Sequence, residues 1–230
     1  MNRDHRFYSL MAIVAAVVTL TGFASVYIPH ASSGTVPAII HVHALVFTSW
    51  LVLFVVQTQL IAARRTALHR RLGTAGMFLA AAMLIVGVLT ARDAARSGHT
   101  GVPGVVFPNP AGFLLLNIIA ATAFGVLVTL GWVYRNTPQA HKRLMLMATV
   151  AALMPPGVSR LPFIAGNQAA IGVAVLVFLL IPSIYDLLTR RRVHPAYVFS
   201  VVLALTTIPP VVAGLATTQA WQRIAAWMIG

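Results

Sequence analysis

The 230-residue sequence contains no cysteine and no glutamate, and its acids are three aspartates, Asp4, Asp93 and Asp186. Without cysteine there are no disulfides, thiolate metal ligands, iron–sulfur clusters or covalently attached c-type haem, so any metal chemistry must use His, Met or oxygen ligands. Without glutamate the zinc-protease pattern His-Glu-x-x-His cannot be written. A Ser-His-carboxylate triad would need one of the three aspartates, and none is spaced with a Ser and a His to build it. The single lysine, Lys142, falls between apolar runs, which excludes an intramembrane retinal Schiff base. Charge is scarce as well. Only 8% of residues are charged while 59% are hydrophobic, a balance that gives a water-facing domain too little solvated surface. Lipid must face most of this chain.

What is present is a succession of apolar runs. A helix needs about 20 apolar residues to cross the hydrocarbon core, and seven stretches qualify, roughly 8–29, 38–62, 72–92, 110–134, 143–164, 167–187 and 196–217. The expected fold is all-α: a single polytopic transmembrane bundle over 1–217, followed by a short interfacial segment over 218–230. In that segment Trp221, Ile224, Ala225 and Met228 share one helical face. The longest connection, 93–109, is rich in Gly and Pro and reads as an irregular surface loop.

The net charge of +13 is not a nucleic-acid signature, because the basic residues sit between apolar runs rather than on one face of a soluble fold. Their alternation sets topology instead. Arg3, Arg6, Arg64, Arg65, Arg70, Arg71, Arg135, Lys142, Arg143, Arg190, Arg191 and Arg192 fall on one side, and only Arg92, Arg96, Arg160 and Arg223 on the other. Lys and Arg are retained in the cytoplasm during insertion. The expectation is therefore seven spans in a bacterial-type inner membrane, with the N-terminus cytoplasmic and the C-terminus outside. The basic start, the run from Leu10 to Leu20, and Gly22 and Ala24 also fit a cleavable signal peptide. The run continues through Val26, Tyr27 and Ile28, beyond the length of such a core.

Polar residues at membrane depth mark either packing contacts or function. His43, Trp50, Gln57 and Arg64 recur every seven residues and form one polar seam on the second span. Hydrogen bonding across the bundle is the favoured role for Trp50 and Gln57. His41 and His43, two residues apart, are candidate metal ligands by their His-x-His spacing, although one helix aims them to opposite sides. His41 or His43, with Asn117 and Arg160, falls near the outer face, and the group could hold an anion, a quinone oxygen or a haem propionate. Arg160 could equally snorkel to the interface. His69, His141 and His194 stand among arginines at the inner edge, where such histidines cap helices, meet lipid phosphate or bind a cofactor. Pro155, Pro156, Pro182, Pro209 and Pro210 should kink their helices. Met145, Met147 and Met154 offer soft ligands for copper(I), or simply fill the core.

His43, then His69, Arg70, Leu72 and Gly73, then His141, Arg143 and Met145, and finally Arg160 resemble the motif residues of a family of uncharacterised bacterial inner-membrane proteins with a His-Arg-x-Leu-Gly helix start. Lys142 stands where that pattern has Arg, and Leu144 where it has Trp. The resemblance spans about half of the chain and implies a membrane bundle, with no activity attached. The layout is also similar to that of b-type di-haem transmembrane cytochromes, and that likeness implies one inner haem between His69 and His141.

The function expected from these features is a His-ligated redox or metal protein. Its cofactor would be haem b or copper, and its cofactor-binding residues His43, His69, His141 and Arg160. A transporter of a small or anionic solute and a non-catalytic assembly subunit are the alternatives. The near absence of acids in the spans counts against proton-coupled transport.

Overall fold

A computed structural model describes residues 3–230 except 33, 35 and 103. The chain is all-α apart from one short hairpin. Its long helices are α1 (Arg3–Ser32), α2 (Ala38–Ala62), α3 (Thr66–Arg96), α4 (Pro110–Val133) and α7 (Gln168–Arg190). Shorter ones are α5 (Pro138–Ala152), α6 (Met154–Val158), α8 (Pro195–Leu205), α9 (Pro209–Ala216) and α10 (Gln219–Ile229). The strands β1 (Gly101–Val102) and β2 (Val105–Val106) pair antiparallel with Gly101 opposite Val106, so the loop expected after α3 is partly ordered as a hairpin.

Local chemistry sets the helix starts. Asn109 accepts a hydrogen bond from the Gly112 amide at 3.1 Å, ahead of Pro110 in the first turn of α4. Asn167 caps α7 through the Ala170 amide at 3.0 Å, and Thr218 caps α10. Each cap satisfies an amide that the helix itself leaves unpaired. Proline at the first position costs nothing because its missing N–H has no partner there, and α4, α5, α8 and α9 all begin this way.

Five helices among the described residues are long and apolar enough to cross a membrane, and α8 with α9, bent by 52°, makes a sixth if counted as one span. The stretch 143–164 forms no single helix of that length. It runs as α5, breaks at Leu153, resumes briefly as α6 and then turns through 159–167. Pro155 and Pro156 remove two backbone donors and crowd the preceding turn, which accounts for the break. Pro209 and Pro210 lie just after the bend between α8 and α9, whereas Pro182 sits inside an uninterrupted α7.

The core is apolar, yet the exterior is apolar too, and a few polar groups are buried. Leu10, Leu45, Phe78, Ile85, Val173 and Leu188 are exposed on helix exteriors, while Arg143, Asp186, Thr149 and Ser200 are buried. α5 is the central element: from Arg143 to Ala152 every residue but Met145 is buried. α1 belongs to the same core through Tyr8, Met11, Ala12, Ala15 and Ala16. Gly22 of α1 and Gly157 of α6 bring their backbones together, and a Cβ on Gly157 would stand 2.6 Å from the Thr19 Cα. At one end of the bundle α10 lies across α3 and α4. The Trp221 indole donates to the Ala111 carbonyl at 2.9 Å, and Arg92 and Arg96 donate to the Met228 and Ile229 carbonyls at 2.6 and 2.7 Å. Two cations thus satisfy the open C-terminal end of α10.

Candidate functional site

Three polar clusters occupy the two ends of this bundle. At the first end, α3 and α5 each place a histidine in their opening turns, and the His69 and His141 ring centroids stand 6.2 Å apart with their planes at 87°. His141 Nδ1 lies 2.7 Å from the Gly131 carbonyl near the end of α4. A carbonyl only accepts, so Nδ1 carries a proton, which fixes the ring's orientation. This is the usual way a ligating histidine is oriented. His69 is held at its backbone, where the Gln57 amide nitrogen donates to the His69 carbonyl at 3.2 Å. Among the described residues His69 Nδ1 and Gln57 Oε1, both buried, have no hydrogen-bond partner. A buried orphan of this kind costs about 1–3 kcal/mol. The Met145 sulfur packs on Gly131, where a Cβ would come within 2.6 Å of it. Met147 and Met154 are core filler, at 0% and 1% exposure.

Beside this pair lies an ion lattice. Arg143 and Asp186, 1% and 0% exposed, form a two-pronged pair with Nε to Oδ2 at 2.8 Å and Nη2 to Oδ1 at 2.6 Å. The third Arg143 nitrogen donates to both oxygens of Gln139, backbone and side chain. Arg190 Nε and the His194 amide also donate to Asp186. Asp4 at the start of α1 accepts from Lys142 at 2.5 Å, from the Tyr185 hydroxyl at 2.9 Å and from Arg190. The Tyr8 and Tyr197 hydroxyls meet at 2.9 Å beneath it. α1, α5, α7 and α8 are tied together by these contacts. His194 accepts from the Ala196 amide through Nδ1 and so caps α8. Burial, reinforced by the Arg143 charge, holds its imidazole below the ordinary histidine value, which favours the neutral ring that this cap requires.

The third cluster sits at the opposite end. Arg160 follows α6, where its carbonyl accepts from the Ser25 hydroxyl at 3.0 Å. Its guanidinium stacks 4.8 Å above the Phe23 ring and donates from Nη1 to the Pro156 carbonyl at 2.7 Å. His43 stacks on Phe47 at 3.9 Å, and its buried Nδ1 has no partner among the described residues.

The structure therefore brings His69 together with His141. His41 turns instead to α1, where its Nδ1 meets the Tyr27 hydroxyl at 2.6 Å. Asn117 donates to Phe113 on its own helix. Trp50 and Gln57 hydrogen-bond to Thr149 and His69 on other helices, in keeping with a packing role. Among the described residues no three His or Asp side chains are grouped to hold a metal ion. The Arg143–Asp186 pair has no signal in local spacing; its one trace is an aspartate in an apolar run, which burial obliges to find a cation. Compared with family models, curated proteins and solved structures, the chain matches none.

Proposed function

We propose that this chain is a seven-span protein of a bacterial-type inner membrane, N-terminus in the cytoplasm and C-terminus outside, that holds one redox-active copper ion between His69 and His141. Seven spans follow from counting α5 with α6 as one crossing and α8 with α9 as another. From Pro138 to Val158 the chain reaches about 30 Å at 1.5 Å per residue. A helix enclosed by its neighbours needs no lipid-facing apolar surface. The orientation rests on charge: the contacts among Asp4, Lys142 and Arg190 and between His69 and His141 gather the ends carrying twelve of the sixteen basic residues.

The observation that carries the metal reading is the pair itself, with one ring oriented by a backbone carbonyl and the other holding a buried, unpartnered nitrogen. At a centroid separation of 6.2 Å the two imidazoles would both be within reach of one ion. An iron porphyrin would use the same two imidazoles. Copper(I) accepts two imidazoles readily, and the Met145 sulfur supplies a soft donor on the same side of α5, one turn from His141. When bound, the ion supplies one-electron transfer. The protein's part is to fix His141 by the Gly131 carbonyl, to anchor His69 through Gln57, and to leave room for Met145 by having no side chain at Gly131.

Metal analysis of the detergent-purified protein after copper loading, with visible spectra of oxidised and dithionite-reduced samples, tests this. One copper per chain is expected, lost in the His69→Ala and His141→Ala variants and kept in His99→Ala. A Soret band with stoichiometric iron would replace copper by haem at these ligands. Full loading of the His69→Ala/His141→Ala double variant would overturn the site.

A further inference from the structure

We propose that the cavity beside the Asp4 ion lattice binds the phosphodiester headgroup of one anionic lipid, whose acyl chain lies along α7. The cavity measures about 460 Å³ and is lined by Arg3 and Asp4 of α1, Gln139 of α5, and Tyr185, Leu188 and Arg190 of α7. That volume lies within the roughly 300–1,000 Å³ of small-ligand sites. None of these residues belongs to the metal site.

Charge selects an anion. Four cations, Arg3, Lys142, Arg143 and Arg190, gather here against two carboxylates, Asp4 and Asp186, which leaves a surplus of two positive charges. Both carboxylates are already committed. Asp4 accepts from Lys142, Tyr185 and Arg190, and Asp186 from Arg143, Arg190 and the His194 amide. Arg190 spends two of its five N–H donors on them, one from Nε and one from Nη2. The Arg3 guanidinium makes no ion pair among the described residues. A phosphate accepting from Arg3 and from the remaining Arg190 donors would neutralise the surplus through charge-assisted hydrogen bonds. α1 and α5 both begin at this cavity, and the positive ends of their dipoles favour a ligand of the same sign.

The apolar surface specifies the source of the phosphate. Val173, Val177, Leu180, Ile184 and Leu188 are all exposed and recur every three or four residues, so they share one side of α7. Leu188, 78% exposed, belongs both to this stripe and to the cavity wall. A headgroup held in the cavity therefore sets its acyl chain on a continuous apolar track. Free orthophosphate presents the same oxygens but gains nothing from the stripe, and the experiment separates the two.

The full-length protein in detergent is titrated with phosphatidylglycerol and followed by native mass spectrometry, and separately titrated with orthophosphate by calorimetry. One saturable phosphatidylglycerol is expected. Arg3→Gln should weaken its binding by about five-fold, and Leu188→Asn by about two- to five-fold. Arg71→Gln removes the same charge from an exposed position on α3 that does not line the cavity, and it should bind as wild type does. Arg3 and Leu188 are exposed, so both cavity variants should melt with wild type; should one fail to fold, the other carries the test. Equal losses in Arg3→Gln and Arg71→Gln would reduce the effect to diffuse attraction and overturn the site. Orthophosphate binding that Arg3→Gln weakens and Leu188→Asn does not would overturn the lipid in favour of a soluble anion. Lipid binding unchanged in both cavity variants would overturn the proposal outright.

Discussion

Replacing Asp186 by Asn is the sharpest test of how the bundle is held together. The Asp186 carboxylate accepts from Arg143 Nε, Arg143 Nη2, Arg190 Nε and the His194 amide, and it is fully buried. Asn keeps the shape but turns an NH2 toward groups that only donate, and it leaves the Arg143 charge, itself 1% exposed, without its counter-ion. Breaking a buried pair from one side costs about 3–5 kcal/mol. For a chain of this size each kcal/mol moves the melting temperature by about 2–4 °C, so the expected loss is about 6–20 °C. Thermal unfolding in detergent, followed by the fluorescence of buried Trp50, reads it directly. The exposed Asp93→Asn is the control and should melt within about 2 °C of wild type. Replacing the whole pair, as Arg143→Met with Asp186→Leu, should recover much of the loss, because no uncompensated charge remains. The reasoning is refuted if Asp186→Asn melts with wild type, or if the double replacement loses the sum of the two single losses.

Two further outcomes are expected. Tyr8→Phe strands the Tyr197 hydroxyl, which is buried, and should cost about 1–3 kcal/mol in the same melting assay; Tyr8→Phe with Tyr197→Phe should cost less than the two singles together. Additive losses would show that the hydroxyls do not depend on one another. His194, held below its ordinary value of 6.5, contributes stability that is present above that pH and is lost as the pH falls toward its lowered value, because the unfolded chain takes up the proton first. His194→Asn, which can still cap α8, should flatten the decline in melting temperature below about pH 6.5; an unchanged decline would assign it to other groups.

Composition and apolar run length were enough to determine the fold class. A chain with this little charge cannot solvate a soluble surface, and its long apolar runs satisfy their backbone only as helices when they meet lipid. Helix punctuation was also local. Asn109, Asn167 and Pro195 act within a turn of themselves, and His194 caps α8, one of the roles open to it among arginines at a helix start. The seven-residue seam foretold that Trp50 and Gln57 would face other helices, since residues at that spacing share a helix face.

Tertiary structure decided the rest. Sequence spacing put His69 and His141 at one depth on two helices, yet only the packing of α3 and α5 around α4 brings their rings to 6.2 Å and aims His141 at Gly131. Which helix covers each face of α2 likewise turns His41 to Tyr27 of α1 and leaves His43 stacked on Phe47. The partnership of Arg143 with Asp186 joins residues 43 positions apart. No periodicity encodes it, because a buried charge selects its counter-ion by the arrangement of helices in space and not by its neighbours along the chain. The break after Leu153 shows the same division. Pro155 and Pro156 dictate that the helix must stop, while the close approach of Gly157 to Thr19 decides where the freed backbone goes.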